Sequence, residues 1–293
     1  MPSIAQPEIY SFEYYRRIAE VEDDYWWHRG MRVIQARLLD AGRPGVCCGR
    51  ALDAGCGPGG NMAWLRETCG AQWVAGVDIA PEALHFCRQR LEGDVVQASV
   101  LSLPFADQSF DLLICLDVIQ HLPTDGGDLR ALKEMYRVLV PGGRLVVRAN
   151  SRQGTWQGAT KRDDDFQRYL LPEIEAAFAA AGFVVDRATY ANALPALYAS
   201  LGRSASLLGA RLRRLGGAGS GRARLYDGLP LRPAGRLPRW LNELLFVLMR
   251  AEARYLSAPG RRLPFGHTTF CVGRRPASGQ PASPRPRTEA AAE

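Results

Sequence analysis

The stretch Asp53-Ala54-Gly55-Cys56-Gly57-Pro58-Gly59-Gly60 restricts the fold of this chain more than any other. Ala51-Leu52-Asp53 reads as the end of a strand, and Asn61 to Cys69 reads as a helix stopped by Gly70. Glycines at a strand–helix turn let backbone N–H groups approach a ligand, at a helix N-terminus that favours anions. Gly55, Gly57 and Gly60 also satisfy the GxGxxG spacing of dinucleotide turns, and a purely structural tight turn would use the same residues. The neighbourhood decides between these readings. Asp78 ends the next apolar run, where a carboxylate can accept both hydroxyls of a ribose. Asp53 is awkward beside a pyrophosphate but suits a ligand with an ammonium group and no phosphates.

The alternation continues downstream. Trp73 to Asp78, Asp94 to Gln97, Leu112 to Leu116, Arg144 to Arg148 and Phe183 to Tyr190 read as strands. Helices are expected from Pro81, from Thr124 to Leu139 before Pro141-Gly142-Gly143, and from Asp165 to Ala181 before Gly182. Phe12 to Asp40 reads as helical. This spacing predicts an α/β, doubly wound parallel sheet. From Asn192 to about Leu263 the pattern changes to helical stretches and basic loops, and Phe265 to Gly273 returns to a strand.

With 47% apolar and 23% charged residues among 293, composition excludes a disordered chain and a disulfide-stapled miniprotein. No run approaches the length of a membrane span, and Met1-Pro2-Ser3 opens no signal peptide, so a cytoplasmic location is expected. Seven cysteines at 47, 48, 56, 69, 87, 115 and 271 form no CxxC pair and read as reduced, buried thiols. No zinc-ligand spacing appears, and no metal is expected. The formal charge of +7 is unevenly spread: residues 1–202 carry 20 basic and 25 acidic side chains, whereas residues 203–293 carry 17 and 5.

Five ordered stretches together resemble the class I S-adenosylmethionine-dependent methyltransferases of the small-molecule type. They are Ala51 to Gly59, Gly76-Val-Asp-Ile79, Leu103 to Asp111, Leu116 to Leu122, and Arg137 to Leu145. The resemblance covers about residues 45–190. It implies a Rossmann-like seven-stranded sheet whose last strand is antiparallel, with an N-terminal helical cap and a helical insertion before that strand. The corresponding division is an arm and cap at 1–40, a core at 41–191, an insertion or lid at 192–263, the final strand at 264–275, and a disordered tail at 276–293. The implied cofactor is S-adenosyl-L-methionine. Gly55, Gly57 and Gly59 would line its methionine end, with Asp53 near the amino group, Asp78 on the ribose and Ile79 against the adenine. Ser99 stands where many relatives carry Asp to accept from the adenine amino group, with Val100 beside it. Leu116, Asp117 and His121 would lie by the methyl donor, and Gln120 replaces a Glu common in relatives.

His121 is the expected general base, because imidazole suits proton transfer at neutral pH. Bracing the loop before Pro123 is its alternative. Tyr25-Trp26-Trp27-His28, with Arg29 and Arg32, reads either as a packed cap helix or as a lid. In the lid, Trp27 shields a sulfonium and Arg32 pairs with a carboxylate. The expected acceptor is a small molecule or a lipid-linked group. Residues 192–263 either pack on the sheet or meet an anionic membrane, through the apolar stretch Leu194 to Leu208, the spaced apolar residues Trp240 to Leu256, and Arg211, Arg213 and Arg214. The competing readings are a nicotinamide-dependent dehydrogenase, a nucleic-acid methyltransferase using the basic C-terminal region, and a non-catalytic cofactor-binding protein. The chain lacks the Asn/Asp-Pro-Pro-aromatic and Pro-Cys sequences that serve base methylation.

Overall fold

The computed structural model describes residues 11–40, 49–90, 93–152, 162–163, 166–194, 196 and 237–277. Helices α1 (Phe12–Val21) and α2 (Trp26–Leu38) come first, followed by β1 (Arg50–Ala54), α3 (Gly60–Glu67), β2 (Trp73–Asp78), α4 (Pro81–Arg90), β3 (Asp94–Gln97) and β4 (Phe110–Leu116). Then come α5 (Gly127–Val138), β5 (Leu139–Asn150), a two-residue hairpin of β6 (Arg162–Asp163) and β7 (Phe166–Gln167), α6 (Leu171–Ala180), β8 (Val184–Ala191), α7 (Arg239–Leu256) and β9 (Thr268–Arg274). Seven strands form one sheet in the order β3-β2-β1-β4-β5-β9-β8. All pair in parallel except β9, which runs antiparallel to both β5 and β8.

Successive residues of a strand face opposite sides of a sheet, so a strand covered on both sides is apolar throughout. Leu52, Ala54, Leu113 and Cys115 face one layer, with Leu132 and Met135 of α5 and Ile174 and Phe178 of α6. Ala51, Leu112, Ile114 and Leu116 face the other, with Met31 and Ile34 of α2, Leu65 of α3, Leu84 of α4 and Met249 of α7. Full burial of each larger side chain contributes roughly 1.5–3 kcal/mol. A Cβ at Gly30 would lie 2.7 Å from Met249 Cβ, so the absent side chain is what lets α7 rest on α2.

Three elements differ from the sequence reading. The helical stretch expected over Phe12 to Asp40 is divided into two helices, broken at Glu22 to Tyr25. There the Glu22 side chain turns inward, and Asn242 of α7 caps the second helix, accepting from the Trp26 N–H and donating to the Asp24 carbonyl, each at 3.0 Å. A partner 216 residues away leaves no local trace in the sequence. The helix expected from Asp165 starts at Leu171. Glu173 Oε2 accepts from the Leu170 N–H at 2.9 Å, and Pro172 suits the first turn. The final strand starts at Thr268 rather than Phe265.

Of the C-terminal insertion, Leu197 to Arg236 lies outside the described residues, and with it most of the apolar stretch Leu194 to Leu208 and Arg211, Arg213 and Arg214. Cys47 and Cys48 and residues 278–293 do as well. The five described cysteines are buried free thiols. No described helix is long and apolar enough to cross a membrane.

Candidate cofactor and acceptor site

The strand order reverses between β1 and β4, and in open α/β sheets the crevice at such a switch point, outside the carboxyl ends of the strands, receives ligands. The glycine turn leads out of β1 at this place. Gly55, Gly57 and Gly59 have φ of 95°, 52° and 94°, a region that favours glycine. The Gly55 and Cys56 N–H groups donate to the Val77 carbonyl at 2.7 and 2.9 Å, tying the turn to β2. A Cβ at Gly55 would meet Val118 Cγ2 at 2.1 Å, whereas nothing lies within 4 Å of one at Gly57. The turn is therefore packed on one side and open at its tip.

Asp78 closes β2 and reaches back to that tip. Its Oδ2 accepts from the Gly57 N–H and its Oδ1 from the Ala80 N–H, both at 2.9 Å. Burial raises its pKa, and these backbone donors oppose the rise. Each oxygen keeps lone-pair capacity for a further donor. Ile79, the next residue, is a large apolar side chain left 59% exposed at the rim. Ser99 Oγ accepts from the Leu101 N–H at 3.2 Å, and Val100 is buried in the core beside Leu103 and Phe110.

Asp53 lies deepest. It is fully buried, and among the described residues neither carboxylate oxygen has a hydrogen-bond partner. Burial pushes its pKa up to about 8, with the charges of Asp78 and Glu22 adding to the rise and Arg148 and Arg32 opposing it. A buried carboxylate without donors is costly, and a cationic donor would relieve it. Arg32 stands nearby with Nη1 3.2 Å from Asp23 Oδ1 and Nη2 3.9 Å from Glu22 Oε2, while its Nε is buried without a partner among the described residues.

Glu22 escaped the sequence reading because it sits in an acidic run resembling a solvated helix end. It is buried, pairs with Arg90 at 2.6 Å, and accepts from the Gly60 N–H at the start of α3. Burial pushes its pKa up to about 7 against those partners. A Cβ at Gly60 would lie 2.4 Å from Arg32 Nη2 and 2.5 Å from Glu22 Cδ. Gly60 therefore makes room for the N-terminal helices rather than for a ligand.

The side of the site toward β5 is built around Arg148, also absent from the sequence reading, although its position at the end of a strand beside the crevice was a usable signal. Its guanidinium grips Asp117 and lies 4.9 Å from the Trp27 ring centroid. The Trp27 face expected to shield a sulfonium thus already carries an arginine, and Arg29, the other candidate beside Arg32, pairs with Glu243. His28 is held neutral, its pKa pushed down to about 3 by burial and by the cations of Arg148 and Arg32. His121 lies on a 3-10 turn, Ile119–His121, whose Ile119 carbonyl accepts from the Tyr169 hydroxyl at 3.1 Å. Burial lowers the His121 pKa, and the Asp117 charge draws it back. Gln120 ties this turn to β5 by accepting from the Asn150 N–H at 2.8 Å. Leu116 is buried at the end of β4. No cluster of three or more metal-ligating side chains exists among the described residues.

Residues 52–147 match the family model described as a methyltransferase domain. The chain is 31% identical over 187 residues to the malonyl-[acyl-carrier protein] O-methyltransferase of Erwinia pyrifoliae, covering 59% of this chain and 66% of that protein. It is 34% identical over 116 residues to a probable phthiotriol/phenolphthiotriol dimycocerosates methyltransferase of Mycobacterium ulcerans, covering 38% and 44% respectively. The matched segments thus span 44% and 66% of the length of these curated relatives. Among solved structures, the Haloferax volcanii complex of the Trm112 methyltransferase activator with a methyltransferase aligns with a TM-score of 0.56 at 17% identity. That alignment covers 92% of this chain and 97% of the other, a likeness of fold.

S-adenosyl-L-methionine, the cofactor of such domains, fits the groups present. Its ammonium would meet the unpartnered Asp53 carboxyl group, and its carboxylate would meet the unpartnered Arg32 Nε. Its ribose hydroxyls would meet the spare lone pairs of Asp78, and its adenine would meet the bare Ile79. With this sheet order, its one antiparallel strand and the matched segment 52–147, the domain belongs to the class I S-adenosylmethionine-dependent methyltransferases.

Proposed function

We propose that the protein transfers the methyl group of S-adenosyl-L-methionine to a small-molecule or lipid-linked acceptor. The observation that carries this reading is the buried, donor-free carboxylate of Asp53 beneath an open glycine tip. An amino-acid ammonium would draw this carboxyl group into its ionised form and pair with it, whereas a pyrophosphate-bearing dinucleotide offers no cation for it. When bound, the cofactor supplies an electrophilic methyl group on a sulfonium.

The chain's own residues do the rest. Asp53 and Arg32 fix the zwitterion, Asp78 fixes the ribose, and buried Leu116 with the Trp27 ring keeps water from the reacting centre. His121, unprotonated at neutral pH because burial lowers its pKa, takes the proton of an acceptor hydroxyl. His28 is too weakly basic for that task and serves as a neutral wall. The five buried free thiols suit a reducing cytoplasm.

Calorimetric titration with S-adenosyl-L-methionine and with NADH tests the cofactor, and binding of NADH alone would overturn the reading. Incubation with methyl-labelled cofactor and separate lipid, small-metabolite and RNA fractions tests the acceptor. Label is expected in one of the first two, and label confined to RNA would reject the acceptor class.

A further inference from the structure

Helix α7 has three sides. Met249, Ala253 and Leu256 are buried against the sheet domain, where α7 rests on α2. A second apolar stripe faces away: Trp240, Leu244, Val247, Leu248 and Tyr255 share one side at helical spacing, with exposures between 38% and 69%. Five of the ten large apolar side chains exposed among the described residues belong to this one helix. Arg239, Arg250 and Arg254 line one border of the stripe, and none of them has a carboxylate partner among the described residues. Of the two acids on α7, Glu243 is paired with Arg29 at 2.5 Å and Glu252 is buried, accepting from the Asn192 and Ala193 N–H groups. Arg261, just past the helix, lies 4.9 Å from the Tyr255 ring centroid.

We propose that this face of α7 docks on an anionic lipid bilayer, with the helix lying in the plane of the interface. A helix apolar on two sides needs a second partner, and its charge says which. The bare stripe would enter the headgroup–acyl boundary. Trp240 and Tyr255 sit at its two ends, each with an apolar body and a polar tip suited to that depth, and the bordering arginines reach the lipid phosphates. A second copy of the chain would bring the same arginines face to face across a two-fold axis. The chain's own segment 197–236 carries eight arginines against the single acid Asp227, so it too would be repelled.

The same helix is locked to the site. Asn242 caps α2 at Trp26, and Glu243 holds Arg29, so a bilayer under α7 borders the helix that carries Trp27 and His28 into the crevice. This deepens the lipid-linked form of the proposed acceptor. It rests on α7 alone, however, and vesicle binding needs neither cofactor nor turnover, so the two readings fail separately.

The test is co-sedimentation of the full chain with phosphatidylcholine vesicles, with and without phosphatidylserine, at low and high salt. The expected result is binding to phosphatidylserine vesicles that weakens with salt. It should fall roughly ten- to a hundredfold in the triple variant Arg239→Ser/Arg250→Ser/Arg254→Ser and in Trp240→Ser/Leu244→Ser/Val247→Ser. Unchanged melting temperature and cofactor affinity establish that both variants are folded. If either variant misfolds, brominated lipid provides the second measurement: it should quench tryptophan emission of the wild type more than that of Trp240→Phe. Absence of vesicle binding, or binding that ignores both variants, overturns the proposal. So does a dimer in sedimentation velocity that only the apolar variant dissolves.

Discussion

Arg148 holds Asp117 through both Nε and Nη2, at 3.1 and 2.6 Å, at a residue whose φ of 59° is uncommon for a side-chain-bearing amino acid. This buried cation is one of the two charges that keep His28 neutral. In Arg148→Met, the His28 pKa should rise from about 3 toward the ordinary imidazole range, as followed by the imidazole proton shifts in NMR. The variant should also lose about 1–3 kcal/mol of stability, less than for a fully buried pair because Asp117 keeps some water contact. A His28 that titrates as before would show that its neutrality comes from burial and Arg32 without Arg148.

Asp78 holds the Gly57 N–H and, in the proposed complex, receives the ribose. Asp78→Ala should weaken cofactor binding by about 1.5–3 kcal/mol, roughly ten- to a hundredfold. Asp78→Asn keeps an acceptor for the Gly57 N–H and should recover part of the melting temperature but little of the affinity. Unchanged affinity in either variant, measured by calorimetry, would remove Asp78 from the site.

If Asp53 receives the ammonium as proposed, binding is proton-linked. Its pKa in the free protein is about 8, above the ordinary 3.8. A carboxyl group shifted upward contributes stability that is fully present below the unfolded pKa and is lost as pH rises through the folded one. The free wild type should therefore lose stability relative to Asp53→Asn between about pH 4 and pH 8. Below pH 8 the free carboxyl group is mostly protonated, and pairing with an ammonium ionises it. Binding near neutral pH should then release about one proton, seen as a dependence of calorimetric heat on buffer ionisation enthalpy. A buffer-independent heat would mean that no ammonium reaches Asp53.

His121→Ala should lower turnover by roughly 10²–10⁴ while leaving cofactor affinity intact. His28→Ala should cost far less, since its imidazole does not accept protons at working pH. Because burial lowers the His121 pKa, wild-type turnover should persist into mildly acidic buffer and fall only as that imidazole protonates. Loss of less than about threefold in His121→Ala would assign it to bracing the turn.

The sheet was legible because its strands are local: each apolar run lies between turn residues, and the antiparallel place of the last strand followed from the resemblance. The glycine turn, Asp53 and Asp78 were legible because their chemistry is written in adjacent residues. What could not be read depends on partners far along the chain. The break after Val21 needs Glu22 turned toward Arg90 and an Asn242 cap, and the occupied face of Trp27 needs Arg148. The late start of α6 was nearer to hand, since Pro172 and Glu173 signal a helix N-terminus in the sequence itself.

The cap that Asn242 places on Trp26 also sets an order of assembly. On a ribosome, β1 to β5 and the glycine turn emerge long before residue 242, so the apolar ends of the first two helices must wait while those five strands pair. The floor of the site is therefore complete before its cover has anything to fasten to, and contacts of such long sequence separation close slowly. A nascent or truncated chain ending before α7 would hold the glycine turn but leave Trp26 and Met31 bare, making that intermediate a target for chaperones rather than a smaller working enzyme.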